Sequence, residues 1–275
     1  MNPDAFNDSE YLRTQQYANS GNLGARIALH ERFSTNTYDL HHWLFDLLLA
    51  TAPKAAQVLE VGSGRGDLWA KNANRIPAGW QVTLSDFSEG MLADARAQIG
   101  VASERLRFEV ADAQKLPFED GRFDVVLAHF MLYHVPDRAQ AIAELRRVLK
   151  PEGVCFAATL GQQHMRELFE AGAKIVPGME LIGQQNTRTF SLENGAEQLA
   201  ESFAEVQCID YASDLRVTEI EPIMDYVQSM EIVRVLGKPE LIDAFREEIS
   251  GRIGSEGAFF IRKQSGVFVA RGTRN

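Results

Sequence analysis

Residues 58–66 read VLEVGSGRG, and the remainder of the chain is placed by its distance from them. The apolar run Val58, Leu59 and Val61 halts at Gly62, Gly64 and Gly66. This is the pattern of a buried parallel strand that feeds a tight loop, with a helix opening near Asp67. Glycine suits such a loop because the backbone must turn sharply and approach a ligand closely, which a Cβ would obstruct. A dinucleotide fingerprint has the spacing G-x-G-x-x-G. Here the third glycine comes early and Glu60 stands just ahead of the first, with Ser63 between the first two. The loop is therefore tighter and argues against a pyrophosphate on the helix N-terminus. Taken alone, the triplet also reads as an ordinary strand-to-helix turn.

The stretches that follow raise the first reading. A second strand, predicted at residues 81–84 (QVTL), ends in Ser85-Asp86-Phe87-Ser88. A carboxylate at that position can accept hydrogen bonds from both hydroxyls of a ribose. Asp86 could also cap a helix, but Ser88 is better placed, because a helix at 89–99 with apolar Met91, Leu92, Ala95 and Ile99 starts immediately after it. A third strand, 106–110, runs into Asp112 and Ala113, where a carboxylate can accept from an exocyclic adenine amine and Leu116-Pro117-Phe118 can sandwich the ring. A fourth strand, 123–128 (FDVVLA), leads into HFMLYHVPD, and a fifth, 154–159, follows a Lys-Pro-Glu-Gly turn. Three carboxylates, Glu60, Asp86 and Asp112, thus fall at the ends of three successive strands.

VLEVGSGRG, SDFSEGML, ADAQKLPF, FDVVLAHFMLYHVPD and ELRRVLKPEGV, in that order across residues 55–160, resemble the motif series of class I S-adenosylmethionine-dependent methyltransferases, nearest to the ubiquinone/menaquinone-type branch. The resemblance implies an α/β fold: a Rossmann-like seven-stranded, mostly parallel sheet with helices on both faces, an antiparallel last strand and an N-terminal helical lid. It implies S-adenosylmethionine as cofactor, with Gly62, Ser63 and Gly64 beside Glu60 along its methionine part, Asp86 with Phe87 and Met91 about the ribose, and Asp112 with Ala113 at the adenine. His129 departs from the small residue many relatives carry after the fourth strand. Its backbone is placed near the cofactor and its ring has no assigned role. Tyr17 and Arg26 lie where the lid of similar enzymes meets the methionine carboxylate, for which a hydroxyl or cationic partner is suited.

Composition sets the outer bounds. With 275 residues, 45% of them hydrophobic, the chain can bury a large core as one domain with insertions. A net charge of −10 repels phosphate backbones and no basic run is present, so nucleic-acid partners are not expected. The opening MNPDAFNDSEY is acidic and polar, unlike a signal peptide, and WLFDLLLA is too short for a membrane span. Cys155 and Cys208 fall in predicted strands that are not neighbours, so a reducing, cytoplasmic setting is expected.

Residues 1–52 precede the first strand and are expected to form the lid, with residues 53–275 as the methyltransferase domain. Leu44, Leu47 and Leu48 have helical spacing, which a helix packed on the sheet accounts for. Tyr38, His42 and Trp43, with His41 beside them, are read instead as acceptor-binding groups lining a cavity. Beyond residue 160, helices are predicted at 162–176, 192–203, about 219–233 and 239–252, a loop at 183–189 and a sixth strand at 206–217. The helices form insertions at about 162–204 and 219–253 that complete a substrate chamber. The end, AFFIRKQSGVFVARG, alternates and carries a turn signal at 264–266, which predicts a terminal hairpin or a bent last strand.

A sulfonium methyl is already electrophilic, so the protein's task is to hold a nucleophile in line in a site shielded from water. Where a base helps, His134 is the candidate, with Tyr133 beside it at the acceptor. His134 could equally brace the loop before Pro136. The six histidines, His30, His41, His42, His129, His134 and His164, have no zinc-motif spacing, and no metal is expected. The expected function is methyl transfer to O, N or C of a small metabolite or natural product. A cofactor-binding module without transfer and a nicotinamide-dependent oxidoreductase are the alternatives. The oligomeric state has no signature in the sequence.

Overall fold

In the computed structural model, which describes residues 21–180, 185–229 and 238–274, the chain opens with two helices, α1 (Gly21–Phe33) and α2 (Leu40–Thr51). Asp39 starts α2 by accepting from the His41 amide at 2.7 Å. Then come β1 (Gln57–Val61), α3 (Asp67–Lys71), β2 (Gln81–Asp86), α4 (Glu89–Ile99), β3 (Arg107–Val110) and β4 (Phe123–Leu127). α5 (Arg138–Val148) and β5 (Leu149–Leu160) follow. The later part holds α6 (Arg166–Ala173), α7 (Gln185–Thr189), α8 (Gly195–Leu199), β6 (Glu205–Val217), α9 (Glu221–Gln228), α10 (Pro239–Glu256) and β7 (Phe259–Arg271).

The sheet order is β3-β2-β1-β4-β5-β7-β6. All pairs from β3 to β5 are parallel, and β7 runs antiparallel to both β5 and β6. The connections reverse direction between β1 and β4, and a crevice opens beyond the carboxyl ends of those two strands, the place where open α/β sheets bind ligands. One face of the sheet packs Leu59, Val61 and Val126 against Ile142 and Leu145 of α5. The other packs Val58, Val82 and Leu84 against Phe45 and Leu48 of α2 and Trp69 of α3. A third apolar cluster lies apart from these: α1, α6, α9 and α10 close around Leu215 and Val217 of β6 and Phe259 and Ile261 of β7. β6 and β7 pair over 13 residues each, so their paired ends can carry this cap.

The Ser88 cap stands as read, its Oγ accepting from the Met91 amide at 3.3 Å. Other expectations are corrected. The Lys-Pro-Glu-Gly turn is an irregularity inside β5: Phe123 pairs with Leu149 but Val125 with Val154, and a Cβ on Gly153 would collide with Leu149. Of the two readings of the chain end, a hairpin or a bent last strand, the hairpin falls, because β7 is one continuous element hydrogen-bonded on both edges through residues 264–266. Gly266 answers a close approach there, since a Cβ would stand 2.8 Å from the Ile209 carbonyl. Of the inserted helices, α6 and α8 are shorter than periodicity suggests and α10 runs longer, to Glu256, and residues 185–189 are helical where a loop is predicted.

Candidate active site

The loop after β1 turns through left-handed backbone at Gly62 (φ 68°) and Gly64 (φ 54°), conformations a side chain resists. A Cβ on Gly64 would meet nothing within 4 Å, so this loop presents bare backbone to open space. Asp86 ties β2 to it, one carboxylate oxygen accepting from the Gly64 amide and the other from the Ser88 amide, each at 2.9 Å. Burial raises the Asp86 carboxyl above its ordinary value, and those two amides oppose the rise. Beneath the loop, buried Glu60 accepts from the Trp69 indole and lies 3.4 Å from His129 Nδ1. The His129 ring therefore braces the β1 carboxylate, a role its position after β4 did not disclose. Ser63 Oγ and His129 Nε2 are buried without a hydrogen-bond partner among the described residues. Asp112, at the exposed rim, engages the Gln114 side chain, with buried Ala113 next to it. Phe130, at φ 55°, is a non-glycine residue held in the left-handed region, its amide donating to Ala158 O.

These groups line one end of a cavity of about 880 Å³, and the cap lines the other. Glu60, Gly62, Ser63, Gly64, Asp86, Phe87, Met91, Asp112, Ala113, His129, Tyr133, His134 and Arg26 all reach it. Tyr17 lies outside the described residues. Arg26 donates to Ser229 O at 2.7 Å and to Ser229 Oγ at 3.2 Å, joining α1 to the end of α9.

Tyr38, His42 and Trp43 are not in the cavity wall. Tyr38 donates to Asp46, His42 Nδ1 meets Asn72 Oδ1 at 3.0 Å, and Trp43 packs on Tyr211. The reason is helical phase. α2 begins at Leu40, and the wall takes Leu40, His41 and Leu44, which share one face, while His42 and Trp43 turn away.

His134 sits in the wall, but burial and the nearby Arg26 charge push its ring down to about 3. The ring is neutral at physiological pH and far too weakly basic for the role its ordinary value suggests. Its backbone amide donates to Met131 O at 2.9 Å, and its ring meets Tyr133 edge to face at 4.5 Å, which is the bracing geometry.

The cap end contains groups to which the sequence assigned no binding role: His30 and Ser34 from α1 and the turn after it, His164 after β5, Tyr211 of β6, Tyr226 of α9, and Lys263 and Ser265 of β7. Alternation along β7 could have found the last two, since Phe259, Ile261, Lys263 and Ser265 share a face. A hairpin reading of that segment hid it. Among the described residues, no group of three or more His, Cys, Asp or Glu side chains is placed to hold a metal.

Known proteins agree with this geometry. Residues 59–157 match the family model of a methyltransferase domain. The chain is 36% identical over 133 residues to the ubiquinone/menaquinone biosynthesis C-methyltransferase UbiE of Desulfotalea psychrophila, covering 48% of this chain and 53% of that protein. It is 33% identical over 147 residues to the malonyl-[acyl-carrier protein] O-methyltransferase of Geobacter sulfurreducens, covering 54% of each. The chain thus spans about half the length of these relatives. In fold it is similar to phosphoethanolamine N-methyltransferase 2 of Haemonchus contortus, at a TM-score of 0.56 and 20% identity over 96% of this chain and 60% of that one. It is likewise similar to the [4+2]-cyclase SpnF, at 0.56 and 19% over 97% and 95%. By these similarities, residues 59–157 carry a methyltransferase domain, set in the seven-stranded Rossmann-like fold that the solved structures share.

Proposed function

We propose that this chain transfers a methyl group from S-adenosylmethionine to an O, N or C of a small, largely apolar acceptor. The observation that carries the reading is the single cavity that joins the glycine loop and the strand-end carboxylates to the cap. The residues present suit the cofactor. A bare backbone cradle at Gly62–Gly64 with an unpartnered Ser63 hydroxyl takes its methionine part, Asp86 the ribose hydroxyls, Asp112 the adenine amine, and Phe87, Met91 and Ala113 the apolar surroundings. Arg26 is the cation offered to the methionine carboxylate. When bound, the cofactor supplies an electrophilic methyl.

The chain's own work is positioning. Glu60, fixed by Trp69 and His129, holds the floor of the cradle. Tyr133 and His134 form the wall between cofactor and acceptor ends. The segment 34–38 is a strap across the chamber: the Thr35 amide donates to Asp214 O at 2.8 Å, Asn36 donates to Ala212 O at 3.0 Å, and Tyr38 O accepts from Tyr211. Lys71 ties it to the cofactor side through Asp39 at 2.7 Å and Glu31 at 2.6 Å. Residues 21–52 serve as the lid that excludes water. The fold alone does not decide transfer, since proteins of one fold host different chemistries.

Both similar relatives are named for methyl transfer, one to carbon and one to oxygen, which supports an acceptor of that general kind. A net charge of −10 supports an acceptor other than nucleic acid, and no described helix is long and apolar enough to cross a membrane. The test is calorimetric titration with S-adenosylmethionine, S-adenosylhomocysteine and NAD, followed by transfer of labelled methyl to a panel of acceptors. Binding of the first two without NAD, with label recovered in product, is expected. Binding of NAD alone removes the reading.

A further inference from the structure

The cap end of the cavity has a polar spot in an otherwise apolar wall. On β6 and β7 the inward face runs Val217, Leu215, Ser213, Tyr211 on one strand and Phe259, Ile261, Lys263, Ser265 on the other, with Ser213 paired opposite Lys263 and Tyr211 opposite Ser265. Lys263 interrupts the apolar row. Its ammonium has no carboxylate within ion-pair distance among the described residues; Ser34 Oγ lies at 3.3 Å and the centre of the Tyr211 ring at 5.7 Å. The two nearest acids are committed elsewhere. Asp39 accepts from Lys71 and the His41 amide, and Asp214 Oδ1 accepts from the Lys263 backbone amide at 3.0 Å. An ammonium withdrawn from water without a counter-ion is costly, and its desolvation pulls Lys263 down to about 8, so it still carries its charge near neutrality.

The neighbours complete a site for an oxyanion. His164 Nδ1 accepts from the Gln264 amide at 3.1 Å, which places the proton of the neutral ring on Nε2. His30, 5.9 Å from His164, has a buried Nδ1 without a partner among the described residues, and Ser265 Oγ is likewise unpartnered. Burial holds both histidines below their ordinary value, so the spot has donors and one positive charge but no negative group of its own. Leu160, Met165, Phe169 and Tyr226 supply apolar and aromatic surface around it.

We infer that Lys263, supported by His30, His164 and Ser265, binds the acceptor through a deprotonated oxygen, so that the acceptor is an apolar molecule with an acidic phenol or enol. The inference rests on the methyl-transfer reading and names the acceptor class for it. The acceptor's O–H bond ionises on binding, the proton passes to solvent, and the ammonium matches the oxyanion's charge. A phenolate or enolate is a stronger nucleophile at oxygen and at the adjacent carbon than its neutral form, so the same contact serves either acceptor atom. Lys263 is on this account a binding and activating residue: transfer to the ionised oxygen needs no other base, and transfer to carbon is completed by loss of that carbon's proton to solvent.

The test uses the full chain loaded with S-adenosylhomocysteine and two probes of similar shape, 4-nitrophenol and nitrobenzene. The phenolate absorbance band reads ionisation directly. Wild-type protein is expected to bind the phenolate at least about 10-fold more tightly than nitrobenzene and to raise the phenolate fraction at fixed pH, a preference typical of a partly desolvated charge contact. Lys263→Met should abolish the preference while nitrobenzene and S-adenosylhomocysteine bind as before, and Lys263→Arg should keep most of it. Equal binding of the two probes by wild type, no phenolate binding, or an unchanged preference in Lys263→Met overturns the assignment. The wild-type ratio needs no variant, so a misfolded mutant does not protect the inference. S-adenosylhomocysteine affinity, measured separately, reports on the methyltransferase reading itself.

Discussion

The two ends of the cavity are built by opposite means. At the end proposed for the cofactor, each carboxylate lies at or just after the end of its own strand and is held by a loop or helix close to it: Glu60 by Trp69, Asp86 by the amides of Gly64 and Ser88, Asp112 by Gln114. At the end proposed for the acceptor, the groups meet only through the tertiary fold, as in Ser34 with Ser213 and His164 with Gln264. The first end is a short-range construction that recurs wherever a strand meets a loop in this sheet. The second is specific to how α1, α9, β6 and β7 pack in this chain, and it is where specificity for an acceptor has room to vary.

The largest expected difference between the ends is in their response to acid. His30, His134 and His164 all face the acceptor end or the wall beside it, and burial is the first cause of the lowered value of each, to about 3 for His134 and about 4 for His164. Each ring is neutral in the folded chain, whereas the unfolded chain protonates it below 6.5. As pH falls below that value the unfolded state binds more protons, so stability falls with pH. Between about pH 7 and about pH 5 each ring contributes a loss of roughly 1–2 kcal/mol. Carboxylates held low by partners, such as Asp39 and Asp67, lose their contribution only at lower pH, and the raised Asp86 acts weakly in the opposite sense. Urea unfolding at the two pH values should show the midpoint dropping, with His164→Gln recovering about one ring's share. A midpoint that does not move would mean the chamber admits water to these rings and the ends are alike.

Gly62→Ala tests the cofactor end with the next largest effect. The substitution combines a left-handed backbone with a Cβ 2.8 Å from Met131, so a loss of about 1–3 kcal/mol is expected. Thermal unfolding with and without S-adenosylhomocysteine checks it, and a variant as stable as wild type would show that the loop has slack.

Asp86→Ala should weaken S-adenosylhomocysteine binding by about 10-fold or more, through loss of charged hydrogen bonds, in a chain that remains folded. Binding should also weaken in wild type as pH falls into the range where Asp86 protonates, a range lying above that of an ordinary aspartate. Calorimetry at several pH values decides it. Unchanged affinity in the folded variant would take the ribose away from Asp86.

The same contrast explains what the sequence made legible. Strand-end carboxylates, the Ser88 cap and the antiparallel last strand were accessible because short-range pattern and motif order carry them. Acceptor groups were not, because a strap residue such as Ser34 gains meaning only opposite Ser213, far along the chain. Tyr38, His42 and Trp43 were drawn in by composition; Tyr38 lies before α2 and is exposed, and one residue of helical phase turns His42 and Trp43 out of the cavity wall while His41 takes it. His134 had the right position and the wrong environment: its ordinary value suggests a base, and burial, which no spacing reveals, removes that property. Lys263 was hidden by a turn signal that two hydrogen-bonded neighbours overrode.

The smallest effect separates glycine by demand from glycine by tolerance. Gly251 lies inside α10 of the cap, exposed, and a Cβ there would meet nothing within 4 Å. In a helix interior glycine is less favourable than alanine by roughly 0.5–1 kcal/mol, mostly through the freedom the unfolded chain retains. Gly251→Ala should therefore stabilise the chain by about that amount and leave S-adenosylhomocysteine affinity unchanged, the reverse of Gly62→Ala in both sign and region. Urea unfolding of the two variants side by side makes the comparison within one experiment. If Gly251→Ala destabilises, α10 meets a surface in solution that the folded chain alone does not present, and the cap would have a partner of its own.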